Sequence, residues 1–246
     1  MERIADIHCH ILPEVDDGAK NMEMAMEMLK TEYEQGVRLI ILTPHFRNHM
    51  FEPDEKTVLT QFERLCREKE KKFPDMELYL GCELHASMDM VEMLRNRKQF
   101  CMAGTTYVLT EFSGGDSKSY IKERLYHLLS SGYKPIVAHA ERFESVLGDL
   151  DFVDELVEMG VLIQINADSI LGKDGRKVKK FCRNLMKHDL LHLVGSDGHD
   201  PEERPVRMKE CAAYIEKKMG EVYKNKIMFQ NPLKIVRKAG EKDGDE

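Results

Sequence analysis

Seven short apolar, β-rich segments, at residues 4–10, 37–45, 77–85, 106–112, 134–139, 161–166 and 191–197, alternate with longer stretches of helical periodicity. Val58, Phe62, Leu65 and Phe73 mark one apolar stripe, Ile121, Leu125 and Leu128 a second, and Phe152, Val153, Leu156 and Val157 a third. Gly36, Gly132 and Gly160 stand just before strand segments, where a left-handed residue can end a helix and turn the chain sharply back. A chain patterned in this way is an α/β protein with a parallel sheet, open or closed into a barrel, and helices packed outside it. With 246 residues, 42% of them hydrophobic, there is material for one sizeable core, so residues 1–239 are expected to form a single domain. Residues 240–246, Gly-Glu-Lys-Asp-Gly-Asp-Glu, have no apolar anchor and are expected to be a flexible tail.

Charge and cysteine usage exclude several function classes. Lys and Arg number 37 against 44 Asp and Glu, a net charge of −7, which speaks against a nucleic-acid partner. No apolar run approaches the ~20 residues of a membrane span, and the first residues lack the basic and apolar regions of a signal peptide, so no membrane insertion and a cytoplasmic location are expected. The six cysteines, Cys9, Cys66, Cys82, Cys101, Cys182 and Cys211, form no Cys-x-x-Cys pair and read as reduced thiols. None is followed six positions later by Arg, so the nucleophile loop of cysteine-dependent phosphatases is absent. Met22, Met24, Met26 and Met28 alternate and cannot share one helix face; they are expected to divide between core filling and exposure.

The chemistry lies at the strand ends. The first segment ends in His8-Cys9-His10, the second in His45, the third in Glu83 and His85, the fourth in Glu111, the fifth in His139 and the seventh in Asp197-Gly198-His199. Six of the seven segments thus deliver imidazole or carboxylate to one edge, the edge where sites assemble in parallel α/β folds. A single strand-end histidine is usually structural, and His85, His127, His188 and His192 are read so because nothing pairs them with a second ligand type; His49, just after His45, stays open. Six independent positions of one chemical class are different, since burying that much charge calls for a compensating cation. His8-x-His10 and Asp197-x-His199 have chelating spacing. Imidazole and carboxylate without thiolate suit Mn²⁺, Fe²⁺ or Zn²⁺, and eight such donors suffice for two ions, or three where carboxylates bridge.

Together with Val15-Asp-Asp-Gly18, Thr43-Pro-His45, Met50-Phe-Glu52, Gly81-Cys-Glu83, Glu111-Phe-Ser113, Ala138-His-Ala-Glu-Arg142, Ser196-Asp-Gly-His199 and Arg204-Pro205, these motifs resemble the PHP (polymerase and histidinol phosphatase) metallohydrolases. Within them they resemble the manganese-dependent protein-tyrosine phosphatases of bacterial capsule and exopolysaccharide clusters, from Asp6 to about Pro232. The resemblance implies a distorted seven-stranded (β/α)7 TIM-like barrel and three Mn²⁺ ions. It implies His8, His10, Glu83 and Asp197 on the first ion, a bridging Glu83 with Glu111 and His139 on the second, and Asp17, His45 and His199 on the third. Asp17 enters only through the resemblance, because Val-Asp-Asp-Gly also reads as a plain turn. The implied reaction is in-line attack of a metal-activated hydroxide on phosphotyrosine, with Arg142 and Arg204 gripping phosphate oxygens. The implied partner is a tyrosine kinase regulating polysaccharide export, with Phe46 and Phe51 expected as a wall for the substrate ring.

Three competing readings remain. A small-molecule PHP phosphatase, chiefly for histidinol phosphate, would share the metal core. An amidohydrolase would place a bridging Lys at the fourth strand, where Glu111 stands. A non-catalytic PHP-like scaffold would have lost ligands, whereas every motif position here is filled. The sequence Asp149-Leu-Asp151-Phe-Val153 imitates a haloacid-dehalogenase nucleophile motif but follows Leu-Gly rather than a strand.

Overall fold

Two of the seven apolar segments break in the middle. The computed structural model describes residues 3–237, and the expected tail at residues 240–246 lies outside them. The strands are β1 (Ile4–Cys9), β2 (Val37–Leu42), β3 (His45–Phe46), β4 (Glu77–Leu80), β5 (Glu83–His85), β6 (Tyr107–Glu111), β7 (Lys134–Val137), β8 (Leu162–Asn166) and β9 (Leu193–Gly195). Among the described residues the seven expected segments thus give nine strands, two segments contributing a pair each. The second segment divides at Pro44, which has no N–H to continue a ladder. The third divides at Gly81, where a Cβ would sit 2.8 Å from Met102 Sδ.

All strand pairings are parallel. A three-stranded sheet runs β1-β2-β4 and a six-stranded sheet runs β3-β5-β6-β7-β8-β9. The two broken segments belong to both, so the chain itself carries one sheet into the other. On the far side, Cys9 bridges Gly198 in parallel register, and Asp197 N–H donates to His8 O at 2.7 Å.

The connecting helices are α1 (Met22–Glu34), α2 (Glu55–Lys72), α3 (Met90–Asn96), α4 (Lys118–Ser130), α5 (Leu150–Glu158), α6 (Ala167–Leu171), α7 (Arg176–Lys187), α8 (Met208–Met219), α9 (Glu221–Asn225) and α10 (Asn231–Val236). Asn21, Asp54, Ser117 and Asp149 cap α1, α2, α4 and α5 by accepting a backbone N–H three residues on. The Asp149 motif is thus a helix cap and not a nucleophile loop. Gly36, Gly132 and Gly160 have φ of 90°, 86° and 94°, the left-handed conformation that their positions call for. The apolar stripes of α1, α2, α4, α5, α7 and α8 close over the sheets in one large cluster. A second cluster gathers Ala5, Ile7, Leu39, Ile41, Leu109, Ile136 and Leu193 from the strands with Met102 and Ile235. Met26 and Met28 are buried and Met22 and Met24 partly so, which corrects the expectation that some of these four are exposed. All six cysteines are free. Among the described residues no helix is long and apolar enough to cross a membrane.

Candidate metal centre

The C-terminal ends of six strand segments put their side chains within reach of one another. His8, at the end of β1, and His10, just beyond it, are joined by His45 of β3, Glu83 of β5, Glu111 of β6, His139 after β7 and Asp197 and His199 after β9. Asp17, from the loop between β1 and α1, completes the cluster. All nine expected donors fall into four overlapping groups, each with its ligand atoms within 4.8 Å: His10, Asp17, His45 and His199; His8, His10 and Asp197; His8, Glu83 and His139; His45, Glu83 and Glu111. The loops are shaped for this. At Gly18 a Cβ would lie 2.0 Å from His10 O, and at Gly195 it would lie 2.5 Å from His8 Cβ, so only glycine lets these chains approach so closely. His139 and Asp197 have φ of 29° and 53°, strained values that aim their side chains inward.

Glu83 is the hub. Its Oε2 lies 2.9 Å from His45 Nδ1, 3.2 Å from His8 Nε2 and 3.3 Å from His10 Nε2, and its Oε1 lies 2.7 Å from His139 Nε2. Yet Oε2 makes no well-formed hydrogen bond, and His139 Nδ1 and His199 Nε2 are buried without hydrogen-bond partners. Neighbouring acceptors set the imidazole tautomers. His8 Nδ1 faces Gln164 Oε1 at 3.1 Å, His10 Nδ1 faces Asp16 Oδ2 at 2.9 Å and His199 Nδ1 faces Asp197 O at 2.9 Å. Each Nδ1 proton is thereby spoken for, and three Nε2 lone pairs point into the cluster. His8 Nε2 and His10 Nε2 stand 3.4 Å apart. Two lone pairs so placed need a cation between them and the carboxylates, either protons or metal.

The charges tell the same story. Burial opposes the charged form of His8 and His10, but Glu83 and Asp197 beside His8 and Asp16 beside His10 outweigh it and raise both pKa values. Burial would raise Glu83 and Asp197, yet the surrounding imidazoles hold both well below the usual carboxylate range. Glu111 is pushed up, by burial and then by Glu83. His199 is driven down to about 2 by burial and by His10.

Arg142 Nη1 and Arg204 Nη2 both donate to Asp197 Oδ2, at 2.5 and 3.0 Å, while Asn166 Nδ2 donates to the same oxygen at 2.9 Å. Asp197 Oδ1 turns the other way, 3.4 Å from His10 Nε2. The two guanidinium groups are half-exposed at the rim of the centre.

Three supporting residues escaped the sequence reading. Asp16 holds His10 and also accepts from His45 N and Gly18 N. Gln164 Oε1 meets His8 Nδ1 and accepts from His139 N at 2.7 Å, and Gln164 Nε2 donates to Asn166 Oδ1. The one segment without an expected ligand therefore supplies this shell from alternate positions of β8. Asp16 had a signal, the Asx turn of Asp-x-Gly; Gln164 and Asn166 had only their spacing of two.

The structure leaves the other histidines outside. His85 faces Ser113, His192 accepts from Ile163 N, His127 lies beside Glu123 on α4 and His188 ends α7. His49 is exposed in the turn closed by the Arg47–Phe51 bridge. Phe46, expected as part of a ring-contacting wall, is corrected: it is buried against Phe100 with ring centroids 4.5 Å apart. Phe51 instead stacks on His45, centroids 5.2 Å apart. Burial pushes the thiols of Cys9, Cys82 and Cys211 up, so they remain protonated and unreactive.

A family model described as capsular polysaccharide synthesis, CpsB/CapC, matches residues 4–237. The chain belongs to the CpsB/CapC family. The resemblance drawn from the motifs accordingly holds across almost the whole length. Among CpsB/CapC relatives, the tyrosine-protein phosphatase CpsB of Streptococcus agalactiae serotype III is 33% identical over 237 residues, covering 94% of this chain and 98% of its own. A crystal structure from work on YwqE of Bacillus subtilis and CpsB of Streptococcus pneumoniae, described as unique metal-dependent tyrosine phosphatases, superposes with a TM-score of 0.88 at 30% identity, covering 95% of this chain and 94% of that one. Outside the CpsB/CapC group, the histidinol phosphate phosphatase of Lactococcus lactis shares the fold, with a TM-score of 0.57 at 14% identity over 89% of this chain and 95% of that one.

Proposed function

We propose that this CpsB/CapC protein is a metal-dependent protein-tyrosine phosphatase that acts in the cytoplasm on a tyrosine kinase regulating capsular or exopolysaccharide synthesis. The observation that carries this reading is the convergence on buried Glu83 of four imidazole nitrogens, from His8, His10, His45 and His139, all within 3.3 Å of its carboxylate. Six free cysteines are consistent with a reducing compartment. The reading takes the two sheets as one distorted (β/α)7 barrel, supported by the continuity of β2 into β3 and β4 into β5 and by the Cys9–Gly198 bridge.

The donors fit divalent ions. His8, His10, Asp17, His45, Glu83, Glu111, His139, Asp197 and His199 would hold them, three in number, with Glu83 shared. The absence of thiolate among these donors favours Mn²⁺, with Fe²⁺ or Zn²⁺ as substitutes. When bound, the ions supply positive charge that offsets the phosphate dianion and the negative charge growing on the leaving phenolate oxygen.

The chain's own residues do the rest. Asp16 and Gln164 keep His10 and His8 in the tautomer that presents Nε2. Arg142 and Arg204, held at the rim by Asp197, would bind phosphate oxygens through planar donor forks, in reach of the transferred group but unable to act as ligands. Phe51, stacked on His45, offers an apolar surface beside the opening. The test measures metal content alongside phosphate release from a phosphotyrosine peptide and from histidinol phosphate. Several divalent ions per chain and preference for the peptide are expected. Faster turnover of histidinol phosphate, or full activity without metal, overturns the reading.

A further inference from the structure

At the opposite edge of the sheet from the metal centre, the N-terminal ends of β6 and β7 open onto a cavity of about 650 Å³. Four cations line it, Arg95, Lys134, Lys234 and Arg237, together with Tyr107 and Tyr133, and no carboxylate is among the described residues of its wall. This is unusual in a chain with a net charge of −7. Among the described residues, Arg95, Lys134 and Lys234 form no ion pair. The Lys134 ammonium sits 5.1 Å from the centroid of the Tyr107 ring, and Lys234 Nζ has only a long contact, 3.4 Å, to Asn231 Oδ1.

The cations come from separate places: α3, the start of β7, and α10 with the residue after it. Positive groups gathered around one opening repel each other, and an anion of several charges relieves that repulsion. Inorganic phosphate would leave most of the cavity empty, whereas its volume lies in the range that accommodates small organic ligands. Two tyrosine rings with Leu94 beside them provide surfaces on which a planar ring stacks.

We propose that this cavity binds a nucleoside diphosphate, its diphosphate on Arg95, Lys134 and Lys234 and its base against Tyr107 and Tyr133. The site is separate from the metal centre. Strand β6 carries Tyr107 at one end and Glu111 at the other, four residues and so ~13 Å apart. A diphosphate held at the Tyr107 end is gripped by side chains alone, apart from the donors at the Glu111 end.

The experiment is calorimetric titration of the full metal-loaded chain with ADP, GDP, CDP and UDP, and in parallel with pyrophosphate and a peptide of sequence Gly-Glu-Lys-Asp-Gly-Asp-Glu. At least one nucleotide is expected to bind about tenfold more tightly than pyrophosphate or the peptide, as stacking adds to charge. Lys134→Glu combined with Lys234→Glu, both exposed positions, should weaken nucleotide binding at least ~10-fold while leaving phosphate release from a phosphotyrosine peptide unchanged. Tyr107→Leu should weaken the nucleotide and spare pyrophosphate. Equal affinity for pyrophosphate or the peptide overturns the assignment, as does binding that survives the double charge reversal and vanishes in Asp197→Asn. Nucleotide binding in a chain that releases no phosphate would sink the phosphatase reading and leave this one standing.

Discussion

Asp16 stands directly behind His10, its Oδ2 2.9 Å from the Nδ1 of that imidazole. The same oxygen accepts from His45 N at 2.9 Å, so one carboxylate braces two of the nine donors without pointing at the centre itself. Asp16→Asn offers Nδ1 a weaker acceptor and frees the ring to turn. Metal affinity should fall ~10- to 100-fold with the fold intact, read by titrating metal into chelator-treated protein. Unchanged affinity would show that Asp16 only shapes the turn.

Arg142 and Arg204 meet at one oxygen of Asp197, and the other oxygen of that carboxylate faces the imidazoles. Replacing either Arg with Ala should leave metal content near wild type and lower kcat/KM by ~10²-fold or more, as for other preorganised charge clamps. Lys should rescue part of the loss, because a point charge lacks the paired hydrogen bonds of the fork. Metal loss in the Ala variants would instead make the pair a structural brace for Asp197.

Acidity should separate the metal-loaded from the chelator-treated chain. Without metal, His8 and His10 keep folded-state pKa values above the ordinary 6.5, so their contribution to stability is full below that value and declines as pH rises toward the folded pKa. His199, down at about 2, works in the opposite sense but only around and below its unfolded value near 6.5. Glu83 and Asp197, both depressed, lose stability only when pH falls into the carboxylate range. From about pH 7 upward the first pair governs, and the chelator-treated chain should become less stable. Bound metal competes with those same protons, so its stabilisation should grow with pH. Thermal unfolding at several pH values should show the gap between the two forms widening; a constant gap would mean that the histidines are not exchanging protons for metal.

A buried carboxyl pair offers a test away from the ions. Glu32 of α1 and Asp6 of β1 are both fully buried, and Glu32 Oε1, Glu32 Oε2 and Asp6 Oδ2 have no hydrogen-bond partner. Burial, followed by the neighbouring Asp6 charge, pushes Glu32 well above its ordinary 4.5, which favours the protonated carboxyl. Asp6 Oδ1 in turn accepts from His8 N and Ser196 N, tying β1 to the loop that bears Asp197. Glu32→Gln retains a donor and should keep near wild-type stability, whereas Glu32→Ala strands a buried oxygen and should cost about 1–3 kcal/mol by denaturant unfolding. Equal losses in both variants would show that volume, and not the proton, matters at this position.

How much of this was visible in residue order differs between parts. Eight of the nine donors were legible because each recurs at the end of an apolar run, a repeating signal tied to the geometry of parallel strands; Asp17, in a loop that reads as a plain turn, came only through the family resemblance. Pro44 and Gly81 were equally plain as residues, but whether a strand passes over such a position or breaks there depends on its neighbours across the sheet. Phe46 reads as surface beside His45, yet the break at Pro44 turns it inward onto Phe100. Gln164 acts only through His8 and His139, residues far from it in the chain, and no local pattern announces such a partner.

The left-handed backbone at His139, φ 29°, has an evolutionary reading. A non-glycine residue held there is a standing burden of ~1–3 kcal/mol, kept because the imidazole must face Glu83. Once selection for the ligand is relaxed, the same position rewards its replacement, since glycine relieves the backbone at once. A lineage that abandoned catalysis would drift first where the chain is most uncomfortable, so glycine at position 139 in a relative would be an early mark of a retired enzyme.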